Sequence, residues 1–462
     1  MKRFKMLLIS FLALALVAGC GSSGGNAPAN DQASGNTDGN QAATQPKEED
    51  KKQDKVTIKY YTWYNGSQFE DIQKIVDNFE KENPNIHVEP IQLVDNANST
   101  DFYKKLDIMS AADDPIDVIQ FSHVDFIIER AARGVLAPID DYMKNNNLDP
   151  ANDFYVNPVY QGKVYGLQDM ASPWLVIINK QALDEANLPI PEWGWTWDDF
   201  RDYAKKLNKG EGADKQFGAY FHTWGEYVGF PAYSEKPHPY LSQDQQPIFD
   251  DESYKQFFEL RRAMEKEDKS VKPFSEIVGA KLHYASEFFS GKAAMVPTAT
   301  FIVGMIKDQE KYPHDFQTVF APLPRSSDSA EIGSSYIGGD YLSVGTSSKH
   351  KEEAYKFIEY VALQTDVIRD FPGYKKTDAS KVIQALVGPD AALIEEESLK
   401  ATVFDSRAKT VYDANWTTDY AGQMKKVIED GFSAYMLDNL TFEAAQKQMM
   451  EDANKIISQA KK

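Results

Sequence analysis

A regular alternation of strand and helix signals constrains the fold of this chain more than any other feature. Residues 56–63 are rich in β-forming side chains, and apolar residues at helical spacing follow over 69–79. A second strand signal covers 86–91 and a second helix signal covers 102–110. The near-continuous apolar run at 116–121 is typical of a strand buried in a parallel sheet. This order predicts an α/β wind.

Helix-capping signals support two of the predicted helices. Ser67 with Glu70 three residues later has the form of a capping box. Thr196 is placed to cap another helix, with Asp199 at its third position. Further strand and helix signals lie at 174–178, 197–207, 254–266, 284–290 and 293–296, and helical patterns dominate after 349.

The N-terminal segment has the layout of an export signal. A short basic stretch precedes an apolar run of about a dozen residues, too short to span a bilayer as a helix. The run ends in Val17-Ala18-Gly19-Cys20, which resembles the lipobox of bacterial lipoproteins. Residues 1–19 are therefore expected to be a lipoprotein signal peptide. Cys20 is expected to carry a palmitate-type lipid that anchors the protein on the extracytoplasmic face of the bacterial membrane.

Composition bounds the rest of the chain. Cys20 is the only cysteine, so no intrachain disulfide can form and stability must come from a large core. Residues 20–55 are almost free of large apolar side chains and should form a flexible tether. The remaining chain is long enough for two lobes. The net charge of -20 argues against nucleic acid and against an anionic lipid surface as partners.

Several short stretches, in order and spacing, resemble the family 1 extracellular solute-binding proteins that serve carbohydrate ABC importers. They lie at 56–79, 114–119, 160–167, 178–180, 196–200, 289–295, 321–324 and 351–354. The resemblance implies a type II periplasmic-binding-protein-like fold, with two doubly wound α/β lobes around a ligand cleft and three hinge crossovers. Lobe one would comprise 56–169 and 318–364, and lobe two 170–317 and 365–462.

The same resemblance implies a function. The protein would bind a sugar or oligosaccharide, close around it by a hinge motion, and deliver it to the transmembrane subunits of an ABC permease. We expect a monomer that needs neither a cofactor nor a metal ion. Phe301 departs from the family, in which a tryptophan is common shortly after the strand at 293–296.

A sugar site needs flat aromatic rings together with side chains that donate and accept hydrogen bonds. Trp63 ends the first predicted strand, where open α/β sheets place their crevice, although packing within its lobe is the alternative. Trp224 and Trp416 are the other aromatic candidates, with packing roles as the alternative. Trp197 starts a predicted helix and is interpreted as a core residue.

The other candidates follow the predicted strands, precede a further strand or lie at the first crossover. Each has a competing structural explanation: a turn, a helix cap, a hinge hydrogen bond or solvent exposure. The candidates are Asn65, Gln68, Ser122, His123, Asp125, Asp169, Ser172, Thr300, Phe301, Gly339 and Asp340.

Other functions remain open from the residues alone. Paired carboxylates also serve glycosidases, but the sequence has no nucleophile elbow, P-loop or zinc-binding HExxH motif, so we predict a binding protein and not an enzyme. The seven histidines are scattered singly, without the spacing of a helical zinc site. A polyamine or peptide ligand, or a sensor role without transport, stays possible on the same fold.

Overall fold

The predicted wind forms the start of the folded part. In the computed structural model, β1 (Val56–Thr62) pairs in parallel with both β2 (Ile86–Gln92) and β3 (Val118–Phe121). The connections are the helices α1 (Gly66–Glu82) and α2 (Ser99–Ala111). This confirms the strand, helix, strand, helix, strand order. The structure describes residues 55–95, 98–145, 148–388 and 392–460, so the predicted signal peptide, Cys20 and nearly all of the tether lie outside the described residues.

The longest described strand, β6 (Leu167–Asn179), joins two halves of one mixed sheet. Its first half pairs antiparallel with β10 (Ile337–Val344) and β11 (Phe371–Pro372). Its second half pairs antiparallel with β8 (Ala293–Ala299) and β9 (Thr318–Pro322). We call β1, β2, β3, β10 and the start of β6 the first half-sheet. The end of β6, with β7 (Phe217–Ala219), β8 and β9, is the second half-sheet.

β10 connects the two parts of the first half-sheet by pairing with a strand on each side. β10 lies between β3 and β6 and runs antiparallel to both. β9, by contrast, pairs with Leu175–Asn179 in the second half-sheet. We therefore propose that the chain returns to the first lobe between β9 and β10, later than the boundary at residue 318 expected from the sequence.

Both faces of the sheet are buried, as a doubly wound fold requires. Along β1, Tyr60 packs in one hydrophobic cluster and its neighbour Tyr61 in another. Along β6, Leu175 belongs to one cluster and Val176 to another. Because successive side chains of a strand point to opposite faces, the two clusters on each strand lie on opposite sides of the sheet.

One of the two capping predictions is confirmed and the other is wrong. Thr196 and Asp199 form a capping box at the start of α7 (Trp197–Leu207), and Trp197 is buried in the core as predicted. At α1 the N-cap is Asn65, which makes no side-chain cap bond. The backbone N–H of Phe69 donates to the carbonyl of Asn65, so the first helical bond starts before Ser67 and leaves it inside the first turn.

The remaining described elements surround the sheet. The helices are α3 (Val124–Ala132), α4 (Asp140–Asn145), α5 (Pro150–Asp153), α6 (Lys180–Glu185), α8 (Gly225–Val228), α9 (Phe230–Glu235), α10 (Glu252–Lys266), α11 (Phe274–Ala280), α12 (Tyr284–Phe289), α13 (Ile302–Lys307), α14 (Lys351–Leu363), α15 (Ala379–Val387), α16 (Glu396–Val403), α17 (Ala421–Met436) and α18 (Phe442–Ala460), and a small hairpin contains β4 (Val159–Tyr160) and β5 (Lys163–Val164). None of the helices in the described ranges is long and apolar enough to cross a membrane.

Candidate functional site

The first group of candidates follows β1. Trp63 is only 6% exposed, and its ring packs edge-on against Phe102 at 5.5 Å and Tyr103 at 6.2 Å between centroids. The Asn65 side-chain amide donates to the carbonyl of Asp95, and Gln68 is exposed in the first turn of α1. Packing therefore uses most of the Trp63 indole, and ligand contact by these three residues stays a prediction.

The second group follows β3, and its side chains make hydrogen bonds with residues from other segments of the chain. The Ser122 hydroxyl lies 3.0 Å from the Tyr103 hydroxyl. His123 caps α3 by accepting the backbone N–H of Asp125 at its Nδ1 atom, and its Nε2 atom meets the hydroxyl of Tyr336. Asp125 Oδ1 accepts hydrogen bonds from Tyr412 at 3.1 Å and from Thr417 at 3.2 Å.

The third group surrounds the pairing of β6 with β10 and forms a buried acid cluster, which we define as Asp169, Asp340, Asp370 and Arg369. Arg369 donates to Asp169 at 2.6 Å, and Ser172 donates to Asp370 at 2.7 Å. Asp340 accepts from the side-chain amide of Gln120 at 2.7 Å and from the hydroxyl of Tyr64. All three carboxylates are buried, and one arginine balances only one of their charges.

Burial and mutual repulsion alter the protonation of the acid cluster. Burial, reinforced by the negative charge of Asp169, raises the pKa of Asp340 to about 7. Burial also raises the pKa of Asp370 to about 6. For Arg369, burial disfavours the charge, but Asp169 outweighs it and holds the guanidinium pKa above its ordinary value. The cluster therefore holds a permanent cation among carboxyl groups that resist full ionisation.

Two polar atoms of the acid cluster have no protein partner. They are Oδ1 of Asp169, an acceptor, and Nη1 of Arg369, a donor, and both are buried. A buried polar atom without a hydrogen bond carries a desolvation cost of about 1–3 kcal/mol. A small hydroxylated molecule that bonded to both atoms would remove this cost.

The exposed aromatic candidate is Trp224. Its side chain is 36% exposed, and its ring is supported by His222 at 4.8 Å, Tyr284 at 5.5 Å, Tyr227 at 6.0 Å and Phe301 at 6.4 Å. We call these five residues the Trp224 cluster. Burial lowers the pKa of His222 to about 3, so the imidazole of His222 is neutral where it packs against Trp224. A partly exposed indole on a rigid support is suited to stacking against an apolar ligand face.

The Trp224 cluster is connected to the sheet through Phe301. The Phe301 ring lies 6.4 Å from Trp174 of β6, between centroids, and Thr300 before it is buried. On β10, Gly339 approaches β6 so closely that a Cβ would lie 1.9 Å from the carbonyl oxygen of Met170. Trp416 is half-buried in a turn that packs on β4. The structure thus brings Phe301 to Trp224, and Asp169 to Asp340.

Several residues of these groups were missed by sequence reasoning. Tyr64 directly follows a candidate, and Arg369 follows the predicted lobe crossing, so both carried a weak positional signal. Gln120, Tyr336 and Tyr412 carried none, because their partners are far away in the sequence. In the part of the chain that the structure describes, no group of acidic, histidine or cysteine side chains could hold a metal ion.

Two surface depressions lie away from all of these candidates. One, of about 740 Å³, runs between α7 and α10 and includes Arg201 and Arg262. The other, of about 360 Å³, includes Gln216 and His314. No candidate residue lines either depression. We therefore propose the acid cluster and the Trp224 cluster as the candidate site, because they combine unpartnered polar atoms with a partly exposed aromatic ring.

Comparison with known proteins decides the family. Residues 65–365 match the bacterial extracellular solute-binding proteins. This chain belongs to that family. Membership confirms the resemblance seen in the sequence, and it confirms that this solute-binding protein is a binding protein and not an enzyme.

Individual relatives of this solute-binding protein support the same family assignment. A multiple sugar-binding protein of Streptococcus mutans is 24% identical over 341 residues, which cover 71% of this chain and 75% of the relative. An ABC substrate-binding protein of Listeria monocytogenes, solved in complex with cycloalternan, gives a TM-score of 0.73 at 20% identity and covers 88% of this chain and 100% of that chain.

A sugar transporter of Rhizobium etli, solved in an open conformation, gives a TM-score of 0.69 at 23% identity and covers 86% of this chain and 99% of that chain. These structures confirm the predicted type II periplasmic-binding-protein-like fold of this solute-binding protein.

Proposed function

We propose that this protein binds a sugar or oligosaccharide between its two half-sheets and delivers it to an ABC permease by closing around it. The observation that carries the proposal is Trp224, a 36% exposed indole supported by four other rings. The C–H face of a pyranose is apolar and flat, so it stacks favourably on such a ring. The relative from Streptococcus mutans is named for sugar binding, which supports the same ligand class.

The acid cluster supplies the polar complement of the proposed site. A sugar hydroxyl both donates and accepts, so one hydroxyl could satisfy Asp169 Oδ1 and another Arg369 Nη1, the two unpartnered atoms. The three carboxyl groups would repel an additional carboxylate or phosphate on the ligand. We therefore propose a neutral sugar in preference to an acidic one.

We also propose how the protein is held at the membrane. A lipid on Cys20 would fix the chain to the extracytoplasmic face, and the tether over 20–55 would let the binding part reach the permease. The support is the local sequence pattern and the family, whose members are extracellular.

The ligand proposal is tested with the soluble form that starts at Lys55. Neutral and acidic mono- and oligosaccharides are screened by melting temperature and tryptophan fluorescence. A ligand at 100 times its dissociation constant should stabilise the protein by about 2.7 kcal/mol. Trp224→Ala should weaken binding at least about fivefold, since a stacked aromatic contributes about 1 kcal/mol or more.

Trp193→Ala is the matched control. Trp193 is also partly exposed, but its indole N–H donates to the carbonyl of Ala401, away from the candidate site. Binding should therefore survive in this variant. A protein that is stabilised by spermidine or by a peptide pool and by no saccharide would refute the sugar proposal, and so would turnover of the sugar.

A further inference from the structure

Helix α3 begins in a buried network that reaches across the protein. Asp125 accepts hydrogen bonds from the hydroxyls of Tyr412 and Thr417, which also lie 2.8 Å from each other. His238 Nε2 lies 3.7 Å from the same carboxylate oxygen, and Tyr336 meets the ring of His123. All six side chains are buried. The acceptor and its two hydroxyl donors are nearly 300 residues apart in the sequence.

His123 and Asp125 are both engaged in protein contacts within this network. Nδ1 of His123 accepts a backbone N–H, so the neutral ring carries its hydrogen on Nε2 and donates it to Tyr336. Burial lowers the pKa of His123 and favours this neutral form. Burial opposes the charge of Asp125, but the nearby His238 and the Tyr412 hydroxyl are among the groups that lower its pKa.

The two sides of the network belong to different half-sheets. His123 and Asp125 directly follow β3, in the first half-sheet. Tyr412 and Thr417 lie between α16, which packs on β9 of the second half-sheet, and α17. At the same place α17 approaches α3, where a Cβ on Gly422 would lie 3.6 Å from the ring of Phe126.

We propose that this network is an interlobe latch, which closes the two half-sheets on each other through protein contacts alone. The inference rests on the hinge closure of the proposed function. Its bonds are made by hydroxyls, an imidazole and a carboxylate, all of which can exchange them for water when the lobes separate. A ligand that favours the closed form would therefore gain apparent affinity from the latch without touching it.

The latch is tested without any sugar. In the soluble form, Lys104→Cys on α2 and Lys426→Cys on α17 place dyes on two exposed positions, whose lysine side chains are 69% and 75% accessible. Single-molecule energy transfer then reports the closed and open populations. Tyr412→Phe removes one donor of the latch and should lower the ratio of closed to open molecules about tenfold. Thr417→Val, which removes the other donor, should act in the same direction.

Tyr254→Phe is the matched control, because the Tyr254 hydroxyl is also buried but donates to Pro239 within the region that follows β7. It should leave the populations unchanged. If Tyr412→Phe and Thr417→Val leave them unchanged as well, or if all three variants open the protein equally, the latch does not exist. Because no ligand is added, this result is independent of whether the protein binds a sugar.

Discussion

Asp340 is a carboxyl group whose charge is opposed by its surroundings. It is buried on β10 beside Asp169, and these two effects raise its pKa from 3.8 to about 7. Between these values the folded protein keeps a proton that the unfolded chain has lost. The folded state therefore loses stability through this group as the pH rises from about 4 to about 7.

Asp340→Asn should remove this dependence. The free energy of unfolding of the variant, relative to the wild type, should rise with pH by on the order of 1 kcal/mol per pH unit between about pH 5 and about pH 7. Urea unfolding at several pH values measures it. Asp419→Asn, the same substitution at an exposed aspartate, is the control on the surface. Parallel curves for wild type and Asp340→Asn would contradict the assignment.

At the scale of an element, the pairing of β10 with β6 requires a glycine at position 339. At Gly339 the backbone has a φ of 142°, and a Cβ would lie 1.9 Å from the carbonyl oxygen of Met170. Gly339→Ala should therefore push the strands apart and lower the free energy of unfolding by about 3 kcal/mol or more. Gly304→Ala in α13 meets no atom within 4 Å and should change stability by at most about 1 kcal/mol, in the stabilising direction. Urea midpoints that fall equally in both variants would contradict this explanation.

The sequence predicted those elements whose periodicity is local. The wind from β1 to β3 and the helices α7 and α10 were placed within a few residues because their apolar spacing and caps are intrinsic to each segment. The first half of β6 was missed, since its Gln168, Asp169 and Ser172 are not strand formers. Its strand conformation is imposed by pairing with β10 and β11, which come much later in the chain.

The candidate site was predictable only in part, because the sequence shows local signals but does not show which distant residues meet. Trp224 and Phe301 were selected one by one, and the structure places them in one cluster. The partners of Asp125 could not be predicted, because Tyr412 meets it only after the chain has folded through the second half-sheet. Side chains that merely follow a strand are visible in a sequence, but those that meet them from another strand are not.

At the scale of the whole molecule, the proposed anchor makes a prediction about location. Cys20→Ala should move the protein from the membrane fraction to the soluble fraction of cells. If the signal segment is cleaved, the chain carries no lipid that could anchor it. If the segment is not cleaved, its apolar run of about a dozen residues is too short to span the membrane as a helix. Fractionation followed by immunoblotting measures it. Ser23→Ala, three residues into the tether, should remain with the membrane. Continued membrane association of Cys20→Ala would contradict the lipid anchor.

The place of β10 between β3 and β6 also sets the order in which the molecule can be completed. A chain that is synthesised from its N-terminus presents β1, β2, β3 and β6 long before β10. Until β10 inserts, β3 and β6 each present an unpaired edge, and closing such a long loop slows folding. The first half-sheet therefore cannot be completed until residues 337–344 are available to pair with both neighbouring strands.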